Sequence, residues 1–240
     1  MSEIVDRQVD ETGRTFELHR RGEAYEVIVD GERAIASDVR RSERSLIELA
    51  IAPLAGRDDV TLLLGGLGMG FLARAALDAP GVKRVDVVEA SPAMIDWDAR
   101  YFAALNGDAL KDPRVKLHPV ELSTFLKQAR LGALADLPAD GWLGLVLDLD
   151  ERPDRPSRPG NEAFYTEAGL ERLEAALRPG GVVALWSAQR EPELGRRLHA
   201  RFQNVAEVAV PVELEGGNGL DYIYRGRRHP PPPSAGHKPN

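Results

Sequence analysis

The segment Val60-Thr61-Leu62-Leu63-Leu64-Gly65-Gly66-Leu67-Gly68-Met69-Gly70, with Glu89 nineteen residues beyond its last glycine, constrains this chain more than any other part. A run of aliphatic residues without alternation reads as a strand buried on both faces, the mark of a parallel sheet. The glycines then force a tight turn and let backbone come close to a ligand. Phe71 to Leu77 reads as a helix opening out of that turn, its N-terminus facing whatever the turn holds. A second strand, Arg84 to Val88, carries Glu89 at its tip, where a carboxylate accepts hydrogen bonds from a ribose diol. Strand, glycine turn, helix, strand and acid together predict a nucleoside-binding half-fold.

Spacing selects among nucleosides. Gly66, Gly68 and Gly70 form G-x-G-x-G, whereas a dinucleotide fingerprint needs G-x-G-x-x-G. Phe71 stands where the third fingerprint glycine belongs, which argues against a nicotinamide oxidoreductase. The variant present points to S-adenosylmethionine, whose adenosine has no pyrophosphate to seat. The cofactor-binding candidates are therefore Gly66, Gly68, Gly70, Glu89 and its neighbour Ala90.

Composition limits the partners. With Lys+Arg 31 against Asp+Glu 38 the net charge is −7, so no bulk electrostatic attraction to nucleic acid exists. The absence of cysteine excludes disulfides, thiolate metal sites and a cysteine nucleophile. No apolar run approaches the roughly 18 residues of a membrane span. The acidic N-terminus lacks a signal-peptide core, so the expectation is a cytoplasmic protein that touches neither membrane nor nucleic acid.

Three regions are expected. Residues 1–36 alternate like strands, with Phe16 and Leu18, then Tyr25, Val27 and Val29 at period two and turns at Arg21-Gly22 and Asp30-Gly31. They predict a small β-hairpin unit whose edge invites pairing in a homodimer. Residues 37–225 alternate helix and strand as an α/β domain with a parallel sheet. Helices are expected over 38–52, from Ser91-Pro92 onward, over 166–177 and over 192–202; further strands are expected over 114–118, 142–147, 182–186, 205–212 and 221–224. Arg178-Pro179-Gly180-Gly181 is read as a helix stop. Residues 226–240, with four prolines at 230–233, are expected to be a disordered tail.

An open α/β sheet binds its ligands at the carboxyl ends of the strands. Past the third strand comes Glu121, and past the fourth come Asp148, Asp150 and Glu151. Clustered carboxylates suit holding a cationic amine or taking its proton. Asp148 and then Asp150 are the catalytic candidates. His19 and His118 lack the partner spacing of a metal site or a triad, and both read as structural.

These residues also carry a resemblance. Leu62 to Phe71, Val85 to Pro92, Asp112 to His118, Leu145 to Asp148, Phe164 to Leu170 and Leu177 to Val182 together resemble the spermidine synthase family. The resemblance implies a Rossmann-like class I methyltransferase fold, with a mostly parallel seven-stranded sheet, helices on both faces and a small N-terminal β unit. It further implies that Glu89 holds the ribose, that Glu121 contacts adenine, that Asp148 faces the transferred group, and that the chain dimerises. The family's loop carries an aspartate where this chain has Gly68, and that acid binds the ammonium of decarboxylated S-adenosylmethionine. Its glutamine after an Asp-Gly turn and its Tyr-His pair on the next helix are also missing here, where Ala34 and Ser42 to Ser45 stand. The expectation is a methyltransferase using intact S-adenosylmethionine on a small-molecule amine or hydroxyl acceptor. The alternatives are aminopropyl transfer from the decarboxylated donor and a non-catalytic nucleoside-binding scaffold.

Overall fold

A computed structural model describes residues 2–38, 41–149, 158–214 and 217–230. The N-terminal region forms an antiparallel sheet of four strands in sequence order: β1 (Glu3–Val9), β2 (Thr15–Arg21), β3 (Ala24–Val29) and β4 (Glu32–Ala36). Between β3 and β4, Asp30 and Gly31 both have positive φ, 53° and 85°. That is the primed turn whose twist matches the strands it joins. Period-two alternation puts Phe16, Leu18 and Val27 on one face. This face packs on Met69, Met94, Trp97 and Phe102 of the following domain, so the two regions share a core.

That domain runs α1 (Arg41–Ile51), β5 (Val60–Gly65), α2 (Phe71–Asp78), β6 (Val82–Glu89), α3 (Pro92–Trp97), a π-helical turn over Asp98–Phe102, α4 (Ala103–Asn106), β7 (Val115–Pro119), α5 (Leu122–Arg130), β8 (Trp142–Leu147), α6 (Glu167–Ala176), β9 (Leu177–Ser187), α7 (Pro192–Arg201), β10 (Gln203–Leu214) and β11 (Gly217–Arg227). The sheet has seven strands in the order β10-β11-β9-β8-β5-β6-β7. Strands β7, β6, β5, β8 and β9 are parallel, and β11 and β10 run antiparallel at one edge. Leu62, Leu64, Val85, Val87, Val146 and Ile223 pack under α1 and α2 on one face. Leu63, Val88, Leu145, Leu147, Leu185 and Tyr224 pack under α5, α6 and α7 on the other. The α/β class and parallel core expected from the unbroken aliphatic strands are what form.

Three local differences have physical causes. Helix α5 was not anticipated; its apolar side, Leu122, Phe125 and Leu126, is spread at helical spacing among polar residues. Strand β9 begins at Leu177 rather than Val182, because Arg178-Pro179-Gly180-Gly181 continues the strand through a bulge. A side chain at Gly181 would stand 2.8 Å from the Arg178 carbonyl, so only glycine fits there. Strand β11 extends to Arg227, past the expected boundary at 225, and the Arg228 amide donates to Gly181 O at 2.7 Å. Of the proline tail, residues 231–240 lie outside the described residues. Among the described residues no helix is long and apolar enough to cross a membrane.

Candidate nucleoside and transfer site

Strand order reverses between β5 and β8, which run side by side and are continued through opposite halves of the sheet. A ligand crevice opens at such a switch point, beyond the carboxyl ends of the strands. The glycine turn follows β5 and Asp148 follows β8. The Asp148 amide donates to Gly65 O at 3.1 Å, and a side chain at Gly66 would lie 2.8 Å from the Asp148 carbonyl oxygen. Gly66 is in the left-handed region, φ 93°, where it turns the chain away from that contact. The predicted loop and the predicted catalytic acid are thus in direct backbone contact.

Glu89 organises the loop. Its Oε2 accepts from the Leu67 amide at 2.9 Å and its Oε1 accepts from the Ser91 amide at 2.6 Å. Bonds of this kind to a charged acceptor contribute about 1.5–3 kcal/mol each. An ionised carboxylate offers about four acceptor positions, so two remain for a vicinal diol. Burial pushes the Glu89 carboxyl above its ordinary value, while the Leu67 and Ser91 amides and Arg158 pull it down. Ala90 lies between Glu89 and Ser91, and the Ser91 hydroxyl caps α3 by accepting from the Met94 amide at 3.4 Å.

The other two glycines of the motif have different jobs. Where a Gly70 side chain would project, Asn106 Nδ2 already stands, 2.2 Å from the ideal position. Asn106 donates to the Met69 carbonyl at 3.0 Å and to Asp98 Oδ1 at 2.7 Å, and accepts from the Ala109 amide at 3.0 Å. This buried amide clamps the loop onto the π-helical turn. Gly70 therefore makes room for the clamp. Gly68, with φ 53°, faces open space, and its nearest neighbour is the end of Ile35 at 3.9 Å. Strand β4 thus overhangs the loop at the position where the resemblance would place an acid.

Glu121 ends up at the N-cap of α5 without capping it through its side chain. Its carboxylate pairs with Arg158 at 2.8 Å, and Arg158 also reaches Asp10 at 3.4 Å, in the turn between β1 and β2. Arg158 therefore ties the start of α5 to the N-terminal sheet. Sequence reasoning missed it, because a lone arginine in a proline-rich loop carries no spacing signal. Asp150 and Glu151 lie outside the described residues.

His118 contributes to a buried ion cluster beneath the site. Asp86, fully buried, accepts from Arg84 Nε and Nη2, both at 2.7 Å, from Trp142 Nε1 at 2.8 Å, and binds His118 Nε2 at 2.8 Å. Burial alone would raise the Asp86 carboxyl, but these partners hold it below its ordinary value. The cluster sits on the α5 side of the sheet, whereas alternation along β6 turns Glu89 to the α2 side. Among the described residues no cluster of His, Asp and Glu fits a metal ion.

Comparison with known proteins agrees with this geometry. No family model matches the chain. A polyamine aminopropyltransferase of Mycobacterium tuberculosis is 30% identical over 200 residues, 81% of this chain and 35% of that protein. Putrescine N-methyltransferase 1 of Nicotiana tabacum is 32% identical over 124 residues, 51% of this chain and 28% of that protein. The chain thus spans about a third of the length of the curated relatives it matches. The solved spermidine synthase of Thermotoga maritima superposes with a TM-score of 0.69 at 13% identity, over 94% of this chain and 72% of that one. The glycine turn closed by Glu89, the reversal of strand order beside Asp148 and these likenesses make the chain spermidine synthase-like, within the class I S-adenosylmethionine-dependent methyltransferase superfamily.

Proposed function

We propose that the protein is a transferase that moves a carbon group from the sulfonium of an S-adenosylmethionine-type donor to an amine, and that the group is the methyl of the intact donor. The observation that carries the proposal is the coupling of Glu89, the glycine turn and Asp148 at one switch point. A donor ribose bonded to the free acceptor positions of Glu89 puts the sulfonium near the strand ends of β5 and β8. A sulfonium activates its own carbon substituents, so the protein's task is alignment of the acceptor nitrogen in line with the S–C bond. The new N–C bond takes the nitrogen lone pair and the breaking S–C bond returns its pair to sulfur. Asp148 orients the amine and takes the proton that the new ammonium gives up. Glu121 lies at the adenine end, where its carboxylate accepts from an exocyclic amine.

The names of the relatives divide between aminopropyl and N-methyl transfer. The reading as methyl transfer rests on Gly68. Position 68 has room for a carboxylate, yet glycine stands there and offers nothing to the free ammonium of a decarboxylated donor. Aminopropyl transfer is the second reading, favoured by the longer match to the aminopropyltransferase. The test is incubation of the protein with each donor and a panel of amines and phenols, with the nucleoside product identified by mass. Adenosylhomocysteine is the expected product. Methylthioadenosine would move the assignment to aminopropyl transfer, and tight donor binding without any product would leave a nucleoside-binding scaffold.

A further inference from the structure

One guanidinium serves acids from three separate parts of the chain. Arg158 Nε pairs with Glu121 Oε1 at 2.8 Å, and its Nη2 donates to Asp10 Oδ2 at 3.4 Å. Its charge also acts on Glu89: burial pushes that carboxyl up, and the Leu67 and Ser91 amides and Arg158 pull it down. Glu89 ends β6 level with Pro119 at the end of β7, and Glu121 stands two residues further on. The acids assigned to ribose and adenine therefore leave adjacent strands, which lie about 4.8 Å apart, and share one cation.

The anchor of that cation lies in the N-terminal sheet. Asp10 divides its oxygens. Oδ1 accepts from the Thr12 amide at 2.9 Å, the Thr12 hydroxyl at 2.6 Å and the Arg14 amide at 3.0 Å, while Oδ2 accepts from Arg158. The first three bonds fix the turn between β1 and β2. The side chains of Asp10 and Arg158 are 4% and 17% exposed, so their pair is shielded from water and holds the guanidinium in one orientation. Glu121 differs: its side chain is 45% exposed and makes no capping bond to its own helix. Left alone, a half-exposed glutamate samples several rotamers and gives up that freedom when it binds a ligand. Pinned at Oε1, it presents Oε2 at a fixed angle. Arginine suits the task because Nε and Nη2 lie in one rigid plane and can meet two acids at once, which the point charge of lysine cannot.

We propose that Arg158 is a positioning residue of the donor site: anchored on Asp10, it orients Glu121 toward the exocyclic amine of adenine and so makes base recognition depend on the N-terminal sheet. The inference rests on the proposed reading of Glu89, Glu121 and the glycine turn as that donor site. It adds a line of contact from Asp10 through Arg158 to Glu121, along which a substitution in the turn between β1 and β2 is felt at adenine.

The test is calorimetric titration of S-adenosylhomocysteine, and of its analogue with hydrogen in place of the adenine amino group, into the full chain. The wild type is expected to favour the amino form by about tenfold or more, the scale of one bond to a charged acceptor. Arg158→Met should erase most of that preference, and Arg158→Lys should restore part of it. Asp10→Asn keeps an acceptor for the turn but loses the charge facing Arg158, and it should lower the preference in the same direction. A ratio between two ligands does not respond to a uniform loss of stability, and thermal unfolding checks that each variant is folded. Should Arg158→Met fail to fold, Arg158→Lys and Asp10→Asn decide, each with a ratio below that of the wild type. A preference unchanged or raised in the folded variants, or absent from the wild type, would overturn the assignment and leave the donor site in place. A wild type that binds neither ligand would overturn the donor site and the assignment with it.

Discussion

Gly68 and Glu89 carry the residue-scale account. Gly68 has φ 53° and no atom closer than Ile35 at 3.9 Å to the position a side chain would take. Asp tolerates the left-handed region better than most residues, so Gly68→Asp should fold. It should shift donor preference toward the decarboxylated form, read as the ratio of methylthioadenosine to adenosylhomocysteine; an unchanged ratio would contradict the role given to this position. Glu89 predicts a pH effect. Its folded-state pKa lies above the ordinary 4.5, and the proposed bonds from the ribose hydroxyls need its ionised form. Donor affinity should therefore fall as pH drops from neutrality toward that raised value, by calorimetry. The Asp112 carboxyl is shifted the other way, held down to about 2 by Arg114. Its contribution is present above the unfolded value of 3.8 and is lost as pH falls from there toward 2. Loss of donor binding should thus precede acid unfolding.

At the scale of elements, the π-helical turn and the N-terminal sheet define the loop's shape. Asn106→Ala removes the clamp and leaves the Met69 carbonyl and Asp98 without their donor, a cost of about 1–3 kcal/mol per unsatisfied buried group. Denaturant unfolding should show that loss together with weaker donor binding; a stable variant with loosened binding alone would also be informative about the loop, whereas no change in either would contradict the clamp. Asp86→Ala should cost more, about 3–5 kcal/mol, because Arg84 and His118 lose a buried partner. Much of the element map was legible in the sequence. Strand Trp142–Leu147 has the expected bounds, since an unbroken apolar run cannot be exposed, and Ser91-Pro92 begins a helix as their cap chemistry dictates. The π-helical turn was not legible, because Asp98 to Phe102 reads as ordinary helix until Asn106 and Asp98 are seen to share the space left by Gly70. Nor was the bulge in β9 legible, because Arg-Pro-Gly-Gly is also a helix stop.

For the whole molecule, the topology delivers the site. Glu89, the glycine turn and Asp148 were readable as strand-end residues, since hydrophobic runs predict strands and a parallel sheet aligns their carboxyl ends. Their contacts were not, because backbone contacts such as Asp148 to Gly65 depend on strand order, which spacing does not encode. Arg158 is the clearest omission, meaningful only through Glu121, 37 residues away. The N-terminal sheet docks on Trp97, whose indole donates to Asp6 at 3.1 Å. Trp97→Ala should cost about 3–5 kcal/mol by emptying that shared core, measured by denaturant unfolding. The most direct trial of the account is calorimetric titration of S-adenosylmethionine into the wild type and Glu89→Ala, with each variant's folding checked by thermal unfolding. Saturable binding by the wild type, weakened at least about tenfold in a folded Glu89→Ala, is the expected result. Equal affinity in the two proteins would contradict it.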